Sequence, residues 1–200
     1  MTIRSFLHLP ILASLLLLTA CATNIKPTAE SNPAPTAKFS DFSRYELAPV
    51  QAGSAEVAAQ TAAVAKIQEH LDEKLGARLK QWNAQPAKSP ARTLRIEPTV
   101  TELKFVGGAK RFFAGAMAGS SAVILKARIT EKETGKLVAS PEFYSKSSAM
   151  AGAVTIGGND NAMLGRIANA LAVYVINNYK QAVGGPVLPP TEEASAVSAE

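Results

Sequence analysis

Two stretches of the chain repeat apolar residues at three- and four-residue steps. Val64, Ile67, Leu71, Leu75, Leu79 and Trp82 form one such stripe within a segment rich in Ala, Gln, Lys, Glu and Leu. This spacing predicts an amphipathic helix from Ala55 to about Ala84, built from good helix formers. Ser54, after Gly53, is placed to cap its start, and Pro86 and Pro90 to end it. Leu164, Ile167, Ala168, Leu171, Tyr174 and Val175 form the second stripe. They predict a helix from Ala162 to about Val183, with N-cap candidates in Asn159-Asp160-Asn161 and a stop at Gly184-Gly185-Pro186.

Between the helices the period changes to two. Val123, Leu125, Ala127 and Ile129 alternate with Lys126, Arg128 and Thr130, which predicts a strand from Ser121 to Lys132 with one buried face. Glu133-Thr134-Gly135-Lys136 reads as a turn in which Gly135 takes positive φ. Leu137 to Lys146 reads as the returning strand, with Pro141 at an edge or bulge. Thr93 to Val106 is a further strand. Leu94, Ile96 and Val100 share one parity and Leu103 and Phe105 the other, so a bulge is expected near Thr101. Ser43 to Val50 is a short first strand. The order β-α-β-β-β-α implies a two-layer α+β sandwich with a largely antiparallel sheet and two helices.

The first twenty residues do not belong to this pattern. Arg4 precedes an apolar run from Phe6 to Leu18, too short to span a bilayer well, and the run ends in Leu18-Thr19-Ala20-Cys21. This arrangement resembles the lipobox of bacterial lipoproteins. The resemblance implies a signal peptide over residues 1–20, cleavage between Ala20 and Cys21, and diacylglycerol and fatty acid such as palmitate on Cys21. Three acyl chains would make dissociation from a membrane negligible. In that family Asp after the cysteine favours inner-membrane retention; Ala22 implies the outer membrane, with the periplasmic side the expected location. Residues 21–39, with Pro27, Pro33 and Pro35, read as a flexible tether. Residues 184–200 read as a disordered tail, which leaves 40–183 as one folded domain.

Composition narrows the chemistry. The chain has 200 residues, 47% hydrophobic and 18% charged, with a net charge of +5 and a mean hydropathy of +0.06. This excludes a disordered chain and a polytopic membrane protein. The basic excess is spread out, so nucleic acid is not an expected partner. One cysteine and two histidines cannot form an internal disulfide and argue against a protein-built zinc site, so no metal and no cofactor is expected. His8 leaves with the signal. His70 reads as a solvated helix residue without a triad around it. Glu69, Asp72 and Glu73 read as a solvated face, and Asp160 as a capping residue because the EF-hand spacing is absent. No catalytic residue is expected.

One segment stands out. Val106 to Ser121 holds Lys110, Arg111, Phe112 and Phe113, and then Gly115 and Gly119 four apart among alanines. Between two strands it reads as a long hairpin connection. Its other reading is a partner or membrane contact, in which a cationic pair borders an apolar wedge.

From Leu94 to Tyr179 the layout resembles the bacterial lipoprotein family of domain of unknown function 4410. That layout is a strand, a glycine-rich stretch, a charged alternating strand, the Thr134-Gly135-Lys136 turn, a return strand, a glycine-bearing loop and an Ala-rich helix. The soluble domain of the curli secretion channel lipoprotein is similar in layout. The resemblance implies a carboxylate near the turn, a place Glu131 or Glu133 fills, and it carries over no catalytic residue. It implies a lipid-anchored α+β domain that works in assemblies. The expected function is therefore non-catalytic: binding or self-assembly with envelope components. The alternatives are a tethered enzyme acting on cell-wall material, or a subunit of a secretion or pore assembly.

Overall fold

The computed structural model describes residues 25–106, 120–147 and 158–188. Its centre is a long antiparallel pair, β4 (Thr93–Lys104) and β5 (Ser121–Glu131). The even positions Leu94, Ile96 and Val100 of β4 face the core. The register shifts between Val100 and Glu102, after which Leu103 is the buried residue. That bulge sits where the phase of the sequence changes. On the outer side of β4 lie β2 (Arg44–Leu47) and β3 (Gln51–Ala52), both parallel to it. Pro98 lies in this central strand without loss, because it falls in the gap between the residues paired with β2 and with β3. On the outer side of β5 lie β6 (Leu137–Ala139) and β7 (Glu142–Ser147), separated by Ser140-Pro141. The hairpin turn before β6 has Gly135 at φ 68°, as its position demands.

The chain crosses from β3 to β4 through helices on one face of the sheet. These are α1 (Ala55–Ala58), α2 (Thr61–Leu71), a π-helical turn (Asp72–Gly76) and α3 (Ala77–Asn83). The sequence reading gave one continuous helix here. The structure divides it at Ala59-Gln60 and widens it at the π turn, yet Ile67, Leu71, Leu75, Leu79 and Trp82 remain on one buried side. Ser54 Oγ accepts from Val57 N at 3.3 Å and caps α1 as expected. α4 (Gly158–Asn177) packs beside α2 on the same face. It begins four residues before, and ends six before, the expected bounds. Asp160 therefore sits in its first turn, accepting from Ser147 Oγ at 3.3 Å, rather than at a cap. Val123, Leu125, Ala127, Ile129 and Phe143 of the sheet form one apolar cluster with Ile67, Leu71, Ile167, Leu171 and Val175 of the helices. Each Val, Leu, Ile or Phe side chain among them contributes about 1.5–3 kcal/mol on burial. The architecture is the expected two-layer α+β sandwich.

Over β2 and the first half of β4 the opposite face of the sheet is charged. Glu97 accepts from Arg128 Nη1 at 3.2 Å and lies 3.2 Å from Arg95 Nε, and Lys132 Nζ lies 2.6 Å from Glu46. Exposed pairs of this kind are worth up to about 1 kcal/mol each, so this face gives solubility more than stability.

The two terminal segments differ from expectation. Residues 25–38 were expected as a tether and residues from 184 on as a disordered tail. The described parts of both lie against the domain. Ser31–Asn32 (β1) pairs antiparallel with Gly185–Pro186 (β8). Ile25 and Val187 join Ala122, Ile124 and Tyr144 in a second apolar cluster, on the face away from the helices. Thr36 N donates to Val138 O at 2.9 Å, and Tyr144 N to Val187 O at 3.0 Å. The proline-rich composition hid this because the segment is held by backbone and side-chain hydrogen bonds, which need no apolar period.

Candidate functional site

The sheet has two distinct ends. Thr93, Glu131 and Leu137 mark one. Lys104, Ser121 and Ser147 mark the other. At the first end, β2 places Tyr45 against the last turn of α3. Tyr179, just beyond α4, stacks on Trp82 with ring centroids 4.0 Å apart and planes 15° apart. Tyr45 lies tilted against both rings, at 5.1 and 6.1 Å. Its hydroxyl donates towards Phe39 O and Phe42 O at 3.0 and 2.9 Å. Burial, with Tyr179 beside it, raises the Tyr45 pKa well above the usual phenol range, so the hydroxyl stays neutral while it holds two carbonyls.

Outside this aromatic stack runs an open groove of about 600 Å³, lined by Arg78, Trp82, Ile176, Asn177, Tyr179, Lys180, Gln181 and Val183. Its apolar floor is bordered by two cations and two amides, with no carboxylate among its lining residues. Such a surface can receive an anionic or planar group. Nothing lining it can act as a carboxylate or histidine base.

The carboxylates expected near the Thr134-Gly135-Lys136 turn are there, and they hold the turn. Glu131 accepts from Arg92 Nε at 2.5 Å and from Thr134 Oγ1 at 3.0 Å. Arg92 itself lies over the Phe42 ring, 4.4 Å from its centre. The hydrogen bond from Arg92 holds the Glu131 carboxyl below its ordinary value. Glu133 accepts from Thr93 N at 3.0 Å, which likewise lowers its pKa. Both are engaged in joining the turn to the start of β4.

At the outer edge of β7, Glu142 is buried, which opposes its ionisation. Thr28 N at 2.7 Å, Thr28 Oγ1 at 3.0 Å and Lys126 Nζ at 3.1 Å overcome this and hold the carboxyl below its usual pKa.

His70 is not solvated as expected. Its side chain is only 20% exposed. It packs across Gly165 of α4, where an added Cβ would stand 3.5 Å from Nε2. Glu73 lies 3.6 Å from Nδ1. The missing side chain at Gly165 makes room for the imidazole between the helices, a signal that only the pairing of the two helices reveals. Glu69, Asp72 and Glu73 are exposed along their helix, as read.

Sequence reasoning also missed a set of asparagines. Asn83 Oδ1 accepts from Tyr45 N at 2.8 Å and Asn83 Nδ2 donates to Tyr45 O at 2.9 Å. Asn32 does the same for Glu142, at 2.8 Å in both directions. Each amide thus occupies the place of a neighbouring strand, one on β2 and one on β7. Asn178 accepts from Val183 N and Gly184 N and donates to Tyr174 O and Gly184 O, all within 2.9 Å. It fixes the turn that leads α4 into β8.

Ala20 and Cys21 lie outside the described residues, as do Lys110, Arg111, Phe112, Phe113, Gly115 and Gly119. The residues flanking the latter group, Val106 and Ser120, stand at the second end of the sheet, where Ser121 Oγ accepts from Val106 N at 3.0 Å. Among the described residues no three His, Cys, Asp or Glu side chains gather as metal ligands, and no helix is long and apolar enough to cross a membrane.

No curated protein matches the chain. Among solved structures it is similar to a PelC dodecamer from Paraburkholderia phytofirmans, at 14% identity, covering 68% of this chain and 90% of that one, TM-score 0.36. It is also similar to lipoprotein GNA1162 from Neisseria meningitidis, at 14% identity, 65% and 96% coverage, TM-score 0.29. Protein XCC0632 from Xanthomonas campestris has 14% identity, 77% and 94% coverage and TM-score 0.38. Residues 24–153 match the family described as domain of unknown function, DUF4410. That match runs from β1 through the crossover helices and the long β4–β5 pair to β7, and the chain belongs to this family.

Proposed function

We propose that the protein is a lipoprotein, held in the outer membrane by lipid on Cys21 and facing the periplasm. Its α+β domain acts there as a non-catalytic accessory subunit that binds or assembles with other envelope components. The observation that carries this reading is the join between the Leu18-Thr19-Ala20-Cys21 signal and the fold. Ile25, four residues after Cys21, is already packed in an apolar cluster on the sheet. A lipid on Cys21 therefore brings the folded domain itself to the membrane. The groove beside Trp82 and Tyr179 supports a binding role, since it offers cationic, amide and apolar surface together.

Replacing Cys21 by Ser tests the anchor. The variant should accumulate as an unprocessed precursor without palmitate label, while the parent chain fractionates with the outer membrane. Normal processing and labelling of the variant would overturn the anchor. Crosslinking from position 181, in the groove, should capture an envelope protein or a second copy of the chain. Capture that persists unchanged when Arg78 and Lys180 are both replaced by Glu would count against the groove as the contact.

A further inference from the structure

The placement of Ile25 also orients the domain. Its cluster partners Ala122, Ile124 and Tyr144 lie towards the end of the sheet marked by Ser121 and Ser147. The chain between Cys21 and Ile25 spans at most about 14 Å when fully extended. A lipid on Cys21 can therefore reach the membrane easily from this end. The opposite end is the length of α4 away: the helix begins beside Ser147 and closes on Phe39 N through Asn178 O. Its 20 residues span about 30 Å.

The side chains at the near end are basic. Lys26 follows Ile25. Lys146 pairs with Ala122 across the ladder and is exposed. Arg166 of α4 donates to Lys146 O at 3.0 Å, which places its guanidinium beside that lysine. Among the described residues this end also carries the carboxylates of Glu102, of Glu56 on α1 and of Asp160, which Ser147 engages, and the ammonium of Lys104. We infer that the surface formed by Lys26, Lys146 and Arg166, beside the buried Ile25, lies against the headgroups of an anionic phospholipid membrane, with the Trp82–Tyr179 groove pointing away from it. The inference rests on anchoring at Cys21, and adds an orientation and a partner surface to it. Basic residues next to a membrane anchor gain from the negative surface potential, and the gain fades within a Debye length. Three cations within reach of the anchor satisfy that condition, and the cations of the groove do not.

The test uses the full chain in vesicles of phosphatidylcholine and phosphatidylglycerol in equal parts, containing headgroup-spin-labelled lipid as a quencher. A fluorescent non-natural residue replaces Ser120 in one preparation and Gln181 in another. Quenching at 120 should exceed that at 181 by at least about threefold. The difference should shrink when Lys26, Lys146 and Arg166 are all replaced by Glu, or when phosphatidylglycerol is omitted. Equal quenching at the two positions, or stronger quenching at 181, overturns the orientation. A difference that survives both changes overturns the role of the cations. Palmitate labelling is scored on the same samples. A chain without label but still held by its apolar leader is read in the same assay, so loss of label counts against the anchor alone.

Discussion

Glu142 and Gly184 show how single positions hold the two terminal segments. The folded pKa of Glu142 lies below the ordinary 4.5. A depressed folded pKa means stability that is present above the ordinary value and lost as pH falls through the folded one. Denaturation measured from neutral pH downwards should therefore show a loss of stability beginning below about pH 4.5. Glu142→Gln should be less stable than the parent at neutral pH, with a shallower acid loss. An unchanged acid limb would remove Glu142 from the account, leaving Glu131 and Glu133, whose pKa values are lowered in the same direction. Gly184 has φ 76°, and a Cβ there would stand 2.3 Å from Asn32 O. Gly184→Ala should therefore cost about 2–4 kcal/mol in urea denaturation, from positive φ and a backbone clash together. Truncating Trp82 to Ala should cost about 3–5 kcal/mol, because it removes the ring on which both Tyr45 and Tyr179 rest.

At the scale of elements, legibility followed periodicity. The stripes from Ile67 to Trp82 and from Leu164 to Val175 announced helices because each residue of the stripe faces the core. The phase change at Thr101 announced the bulge for the same reason. What carried no period stayed hidden. β1 and β8 are two residues each, and their pairing depends on Asn32, Gly184 and the buried Val187. The amides of Asn83 and Asn178 look like any polar residue until the backbone they satisfy is known. The groove was half visible: Trp82 was read as core, which it is, but Tyr179 and Lys180 were placed inside a helix running to about Val183, whereas the helix ends at Asn177. The candidate site residues from 110 to 119 stand outside the described residues, so the fold speaks only to where their flanks lie. The π turn was unsignalled too, since Gly76 has ordinary helical angles, φ −57° and ψ −43°. A Cβ at Gly76 would meet nothing within 4 Å. Gly76→Ala should thus raise stability by about 0.5–1 kcal/mol, seen as a higher melting temperature.

At the scale of the whole molecule, the terminal segments lash the sheet from one end to the other. From Ile25 to Phe39 the chain follows the β7 and β6 side, contacting Glu142, Val138 and finally Asn178. Amide hydrogen exchange should show Thr36 and Phe39 protected together with β7, and Asn32→Ala should lower protection in both terminal segments at once. The asparagines that close this assembly have a further property. Deamidation proceeds when the backbone nitrogen of the next residue attacks the side-chain amide, and it would turn a donor into a repelling carboxylate. Asn32 is followed by Pro33, which has no N–H to lose. Asn83 is followed by Ala84, whose N–H is held by Lys80 O at 3.0 Å. Asn178 is followed by Tyr179, whose N–H is held by Ile176 O at 3.1 Å. The amides on which the strand edges and the α4–β8 turn depend are thus each followed by an N–H that is either absent or already engaged, which slows their chemical ageing.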